Sequence, residues 1–181
     1  MSAIEAEGAM EAMERRSWLW GRWSGLGLSI AASTIVLDQA CKWWMLTVFR
    51  IEEKGRVAVA PFLDLAYVKN LGISYGVGAG FLGQEALAMF AIVAALAMTV
   101  WLARAGSSRL MAASVGLIIG GALGNAIDRV HLGGVADFFS LHAFGFYWYV
   151  FNIADVAIVA GVIGLLYDSF WPSRKDAAKA P

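Results

Sequence analysis

Charge is scarce in this chain: Asp, Glu, Lys and Arg make up 15% of its 181 residues. The 14 basic and 14 acidic residues cancel to a formal net charge of zero. That argues against nucleic acid as a partner, because phosphate binding needs a basic surface. The single cysteine, Cys41, rules out an intramolecular disulfide and any Cys-x-x-Cys metal or redox motif. Its place inside an apolar segment makes it an inert thiol rather than a nucleophile. Two histidines, His131 and His142, are too few and too far apart for a zinc site. Neither has a serine partner at a spacing that suggests nucleophilic catalysis. No metal and no cofactor are expected.

What the chain has in abundance is apolar sequence. Hydrophobic residues make up 60% of it, against about 45–50% in a soluble domain, and the mean hydropathy is +0.65. It reads as an integral membrane protein. Four apolar segments, roughly 24–46, 85–103, 109–128 and 150–171, each approach the ~20 residues a bilayer core requires. The turn RAGSSR between the second and third makes those helices antiparallel neighbours. The first apolar segment carries Asp38 and Lys42 and lacks a small-residue cleavage site, so it reads as a retained helix and not a signal peptide.

The stretch from about 47 to 84 differs in kind. GRVAVAPFLDLAYVKN alternates apolar and polar residues around Pro61, which predicts short β-strands. The glycines of NLGISYGVGAG then break any helix. The expected organisation is a polar tail over 1–23, one membrane domain over 24–171 and a second tail over 172–181. Arg15, Arg16, Arg22, Arg104, Arg109, Arg174, Lys175 and Lys179 fall on the side of both termini. Arg50, Lys54, Arg56, Lys69 and Arg129 fall on the other. The positive-inside rule then places both termini in the cytoplasm. The tryptophans, Trp18, Trp20, Trp23, Trp43, Trp44, Trp101, Trp148 and Trp171, stand near the expected helix ends, as an aromatic belt would.

The polar residues inside these segments gather at one end. Asp38 lies ~21 Å along the first helix and Lys42 one turn further; Asn125 and Arg129 lie ~24–30 Å along the third. Asn152 and Asp155 open the fourth, Asp137 sits in the loop before it, and Asn70 in the strand-rich segment. Ionisable groups at membrane depth mark function and seek partners. Each also has a plainer reading. Asp38 and Lys42 are spaced to neutralise each other, and Arg129 could reach the headgroups, with Asp128 as its charge partner. Asn70 could shape a turn, and Asp155 could cap its helix.

Two aspartates brought together at the boundary of water and lipid suggest one chemistry. Like-charge repulsion and burial raise one pKa while the other member stays ionised. The pair can then act as general base and general acid on a water and a carbonyl. A small proton-coupled transporter or channel subunit would also need intramembrane Asp and Lys. It should, however, carry polar groups at the midplane open to both faces, and here the other halves of the helices are apolar. A structural membrane subunit would not need the clustering.

Four ordered blocks carry a resemblance: DQACK (38–42), NLGISYG (70–76), GNAIDRVHLGGVADF (124–138) and FNIADVAI (151–158). From about residue 24 to 171 the chain resembles the signal peptidase II family, the lipoprotein signal peptidases of the bacterial inner membrane. The resemblance implies a fold of four transmembrane helices with a small extracytoplasmic β-cradle. It implies an aspartic endopeptidase that cleaves diacylglyceryl-modified prolipoproteins just before the lipidated cysteine. Asp137 and Asp155 occupy the positions of the family's catalytic dyad. Asp38, Lys42, Asn70, Gly72, Asn125, Arg129 and Asn152 occupy positions that shape the site and hold substrate. Membrane lipids and globomycin-type cyclic peptides are further implied partners, and a monomer is expected. The second block departs from the family's NxGAAF-like pattern at Ile73, Ser74 and Tyr75. Because Asn70 and Gly72 are kept, altered packing beside the substrate is expected there, not lost activity.

Overall fold

A computed structural model describes residues 20–72 and 83–170. Residues 1–19, the whole second tail and the Ile73–Tyr75 departure lie outside these residues. Helix α1 spans Ser24–Trp43 and continues through a π-helical turn, Trp44–Val48. A short α2 (Ile51–Lys54) leads into strands β1 (Val57–Ala60) and β2 (Leu63–Asn70). Helices α3 (Gln84–Ala105) and α4 (Arg109–Leu132) follow, then β3 (Val135–Ala143), β4 (Phe146–Phe151) and α5 (Ile153–Phe170). Among the described residues four helices are long and apolar enough to cross a membrane: Ser24–Val48, Gln84–Ala105, Arg109–Leu132 and Ile153–Phe170. The protein is a four-helix membrane protein with one small antiparallel sheet, ordered β1-β2-β3-β4.

Helix α4 is the axis of the bundle, packed against α1, α3 and α5. Its glycines make this possible. Gly120 and Gly124, four residues apart and so on one face, meet α1: a Cβ there would stand 2.7 Å from the Ala31 carbonyl oxygen and 2.6 Å from Asp38 Oδ2, respectively. Lipid supplies no hydrophobic drive between helices, so close backbone approach of this kind must supply the cohesion. At its start, α4 is capped by Ser108, whose Oγ accepts from the Met111 N–H at 2.9 Å and donates to Asp168 Oδ1 at 2.8 Å. At its end Gly133, with φ +66, turns the chain into β3.

The sheet covers the end of the bundle reached by Lys42 and Arg129. Met45, Ile51, Ala136 and Phe138 form its core against the π-helical turn, with Cys41 half-buried beside them. Three features differ from the sequence reading. The loop expected between the third and fourth helices is the strand pair β3–β4. The fourth helix starts at Ile153, not 150, because its apolar lead-in FYWYVF is strand β4. The third helix also runs a further turn, to Leu132.

Candidate active site

The site grows from the N-terminus of α5. Asn152 precedes the helix, and its Oδ1 accepts the Asp155 N–H at 3.0 Å. Asp155 Oδ2 accepts the Asn152 N–H in return, at 3.2 Å. This is a reciprocal capping box of the kind that satisfies two otherwise orphaned donors. The remaining oxygen, Asp155 Oδ1, accepts from Asn125 Nδ2 at 2.9 Å.

Asp137 arrives on β3, opposite Val68 of β2, and is 1% exposed. Its Oδ1 accepts from Asn152 Nδ2 at 2.6 Å and its Oδ2 from Asn70 Nδ2 at 3.2 Å. Burial, and then the neighbouring Asp155 charge, push its pKa up to about 7 against those two amide donors and Lys42. The Asn152 amide also donates to Asn125 Oδ1 at 3.1 Å. Asn152 and Asn125 therefore link the two carboxylates, and every amide orientation in the chain Asn70–Asp137–Asn152–Asn125–Asp155 is fixed by its neighbours.

A second, fully buried layer holds Asn125. Lys42 Nζ donates to Asn125 Oδ1 at 3.1 Å, to Asp38 Oδ2 at 2.8 Å and reaches Asp128 Oδ2 at 2.7 Å. Asp38 Oδ1 accepts the Ala154 N–H at 3.0 Å, so a carboxylate from α1 sits on the N-terminus of α5, where the helix dipole favours a negative charge. Asp128 Oδ2 also accepts the Ala136 N–H, at 3.1 Å, tying α4 to the strand that carries Asp137. Gln39 Nε2 bridges Asp38, Asp128 and the Gly124 carbonyl. Burial of two carboxylates against one ammonium is tolerable only with such added donors.

Arg129 is not a headgroup anchor: it is buried, with one nitrogen on the Asn125 carbonyl at 3.2 Å and another on the Gly72 carbonyl at 2.9 Å. Nor is Asp128 its charge partner, because adjacent helical residues point to different faces and Asp128 faces Lys42. Asn70 does shape a turn, its Oδ1 accepting the Gly72 N–H at 3.0 Å, while its Nδ2 serves Asp137. All nine positions singled out in the sequence thus join one network. Gln39 and Asp128 belong to it as well and went unmarked as site residues. Gln39 stands inside DQACK, but Asp128's partner Lys42 is 86 positions away in sequence.

Two cavities meet at Asp155. One, of about 340 Å³, lies among α3, α4 and α5, with Leu87, Phe90 and Ala122 beside Asn70, Asn125 and Arg129. The other, of about 590 Å³, lies between the β3–β4 hairpin and α5. A serine nucleophile has one sequence pattern in its favour, since GISYG at 72–76 has Gly-x-Ser-x-Gly spacing. Its serine lies outside the described residues. Both histidines are engaged elsewhere, His131 with the Ile127 carbonyl and His142 with Asp64.

Fold and site define a multi-pass membrane protein with two linked carboxylates, Asp137 buried and Asp155 half-buried, where its helices meet a sheet. A family model described as "Signal peptidase (SPase) II" matches residues 30–171. The chain is 51% identical over 159 residues to a lipoprotein signal peptidase of Methylobacterium sp. (strain 4-46), covering 86% of this chain and 96% of the relative. It is 49% identical over 151 residues to that of Methylocella silvestris, covering 82% and 88%. A solved structure titled "Bacterial membrane enzyme structure by the in meso method at 1.9 A resolution" superposes with a TM-score of 0.68 at 29% identity, covering 82% of this chain and 95% of that one. The chain belongs to the signal peptidase II family. It is a membrane protease of the class that removes signal peptides from lipoproteins.

Proposed function

We propose that cleavage is carried out by an aspartic dyad of Asp137 and Asp155 acting on a water, with a diacylglyceryl-modified prolipoprotein as substrate. The observation that carries this reading is the pair's shared support: Asn152 hydrogen-bonds both carboxylates, from its side chain to Asp137 and through the capping box to Asp155. Two such groups cannot both ionise cheaply. We assign the pair's shared proton to Asp137, whose pKa is raised to about 7. Asp155 is then the general base. It takes a proton from water as the oxygen attacks the scissile carbonyl carbon, and Asp137 gives its proton to the carbonyl oxygen. Collapse of the tetrahedral intermediate returns a proton to the departing amine of the lipidated cysteine.

The remaining polar residues support substrate. Arg129 holds the Asn70–Gly72 turn against the bundle, which places that turn to receive peptide. The apolar cavity among α3, α4 and α5 suits a signal-peptide segment, and globomycin-type cyclic peptides would compete there. The enzyme works as a monomer in the bacterial inner membrane, both termini cytoplasmic and the sheet outside. Arg22, Arg104 and Arg109, at the opposite end of the bundle from the sheet, support this orientation.

Purified enzyme should cleave a diacylated lipobox peptide and leave the same peptide with an unmodified cysteine intact. Equal cleavage of both would overturn the substrate assignment. A reporter fused within 133–146 that scores as cytoplasmic would overturn the orientation.

A further inference from the structure

The hairpin joining β3 and β4 has two central residues, Phe144 and Gly145, with φ of +52 and +81. Paired Ala143 and Phe146 close it. A two-residue hairpin with positive φ at both positions favours Asn-Gly, because Asn tolerates the left-handed region and a bulky side chain does not. This chain places a phenylalanine there, and it is fully exposed. The backbone strain is therefore not repaid by any contact within the described residues.

The surroundings say what meets it. Phe146, Tyr147 and Trp148 on the same hairpin are each at least half exposed, as is Phe62 in the adjoining β1–β2 turn, whose carbonyl accepts the His142 N–H at 2.9 Å. Phe62, Phe146 and Trp148 form one wall of the 590 Å³ groove; Val156, Val159 and Ile163 of α5 form the other. Ile163 lies ten residues into a membrane-spanning helix, about 15 Å from its start. Away from Asp155 and His142 at its edge, the aromatic wall therefore continues the exposed apolar surface of α5. A loop tip rich in Phe and Trp is the composition that partitions into the boundary between headgroups and acyl chains.

We propose that the β3–β4 hairpin is a membrane anchor, its Phe144 tip inserted among lipid acyl chains and its groove against α5 filled by lipid hydrocarbon. The anchor fixes the height of Asp137, seven residues before the tip on the same strand pair, relative to the bilayer surface. It rests on the membrane-spanning assignment and not on the dyad, so its failure would leave the proposed chemistry untouched.

The test places a cysteine at Phe144 in a Cys41→Ala background, labels it with an environment-sensitive fluorophore, and reads it in lipid nanodiscs holding one protein each. Lipids carrying a nitroxide on the upper acyl chain should quench the label, and aqueous iodide should not. Phe146→Cys gives the same reading if the first labelled protein fails to fold. In a Phe144→Asn background, which suits the turn, nitroxide quenching of the label at 146 should fall. Iodide quenching with no nitroxide quenching overturns the proposal. A blue-shifted label insensitive to both quenchers also overturns it, because protein and not lipid would then cover the tip. Unchanged quenching at 146 in the Asn background removes Phe144 as the anchor.

Discussion

Asn152 and Asp155 cap each other: the Asn152 side chain accepts the Asp155 N–H at 3.0 Å and the Asp155 carboxylate accepts the Asn152 N–H at 3.2 Å. Capping and catalysis, which compete as explanations of an aspartate near a helix start, are here compatible. The cap uses one carboxylate oxygen and holds the group rigid. The Asn152 amide nitrogen then extends to Asp137, so the residue that starts α5 also joins the two carboxylates.

Substitutions at Asn152 separate those two tasks. Asn152→Ser keeps a capping oxygen but loses the donor to Asp137; Asn152→Ala loses both. Ala should cost about 1 kcal/mol of stability and Ser much less. Both should slow cleavage by about three- to tenfold, the net worth of one hydrogen bond. Thermal unfolding and peptide cleavage, measured side by side, check this.

Lys42 should be a residue of stability before anything else. Lys42→Met leaves Asp38 and Asp128 buried without a cation, and breaking such a pair costs about 3–5 kcal/mol. Adding Asp128→Asn should recover part of that loss. Unfolding midpoints of the single and double variants in one detergent provide the comparison.

The raised pKa of Asp137 has a direction. An acid whose pKa goes from an ordinary 3.8 to about 7 in the folded protein binds more protons folded than unfolded between those values. Its contribution to stability is therefore greatest below about pH 4 and is lost as pH rises through 7. Asp137→Asn, which cannot ionise, should flatten the fall in melting temperature between pH 4 and 7. Wild-type cleavage should decline above about pH 7, as the pair loses its shared proton.

Gly124 separates packing from composition. A methyl group there meets Asp38 Oδ2 at 2.6 Å, so Gly124→Ala must displace the carboxylate that caps α5. A destabilisation of about 1–3 kcal/mol follows, as for other overpacked sites, with reduced cleavage. Gly25→Ala, whose nearest neighbour is Trp20 at 3.8 Å, should be neutral or slightly stabilising. Melting temperatures of the two variants test the contrast.

The four helices were legible because hydrocarbon imposes length and hydropathy on any spanning segment. The network was legible in outline because polar groups at membrane depth stand out. The strands β3 and β4 were not. From Val135 to Phe138 every residue is buried, so the alternation that marks a half-exposed strand is missing. The turn between them carries Phe144 in place of Asn, which hides the hairpin. The Lys42–Asp128 pair was invisible for another reason: Arg129 offered Asp128 a charge beside it in sequence, whereas helix geometry points the two apart.

The central claim is the dyad, and single-turnover cleavage of a diacylated lipobox peptide tests it most directly. Wild type, Asp137→Asn and Asp155→Asn would be compared at equal concentration, with folding confirmed by melting temperature. The account predicts two folded variants with no measurable cleavage. Full activity in either one would contradict it.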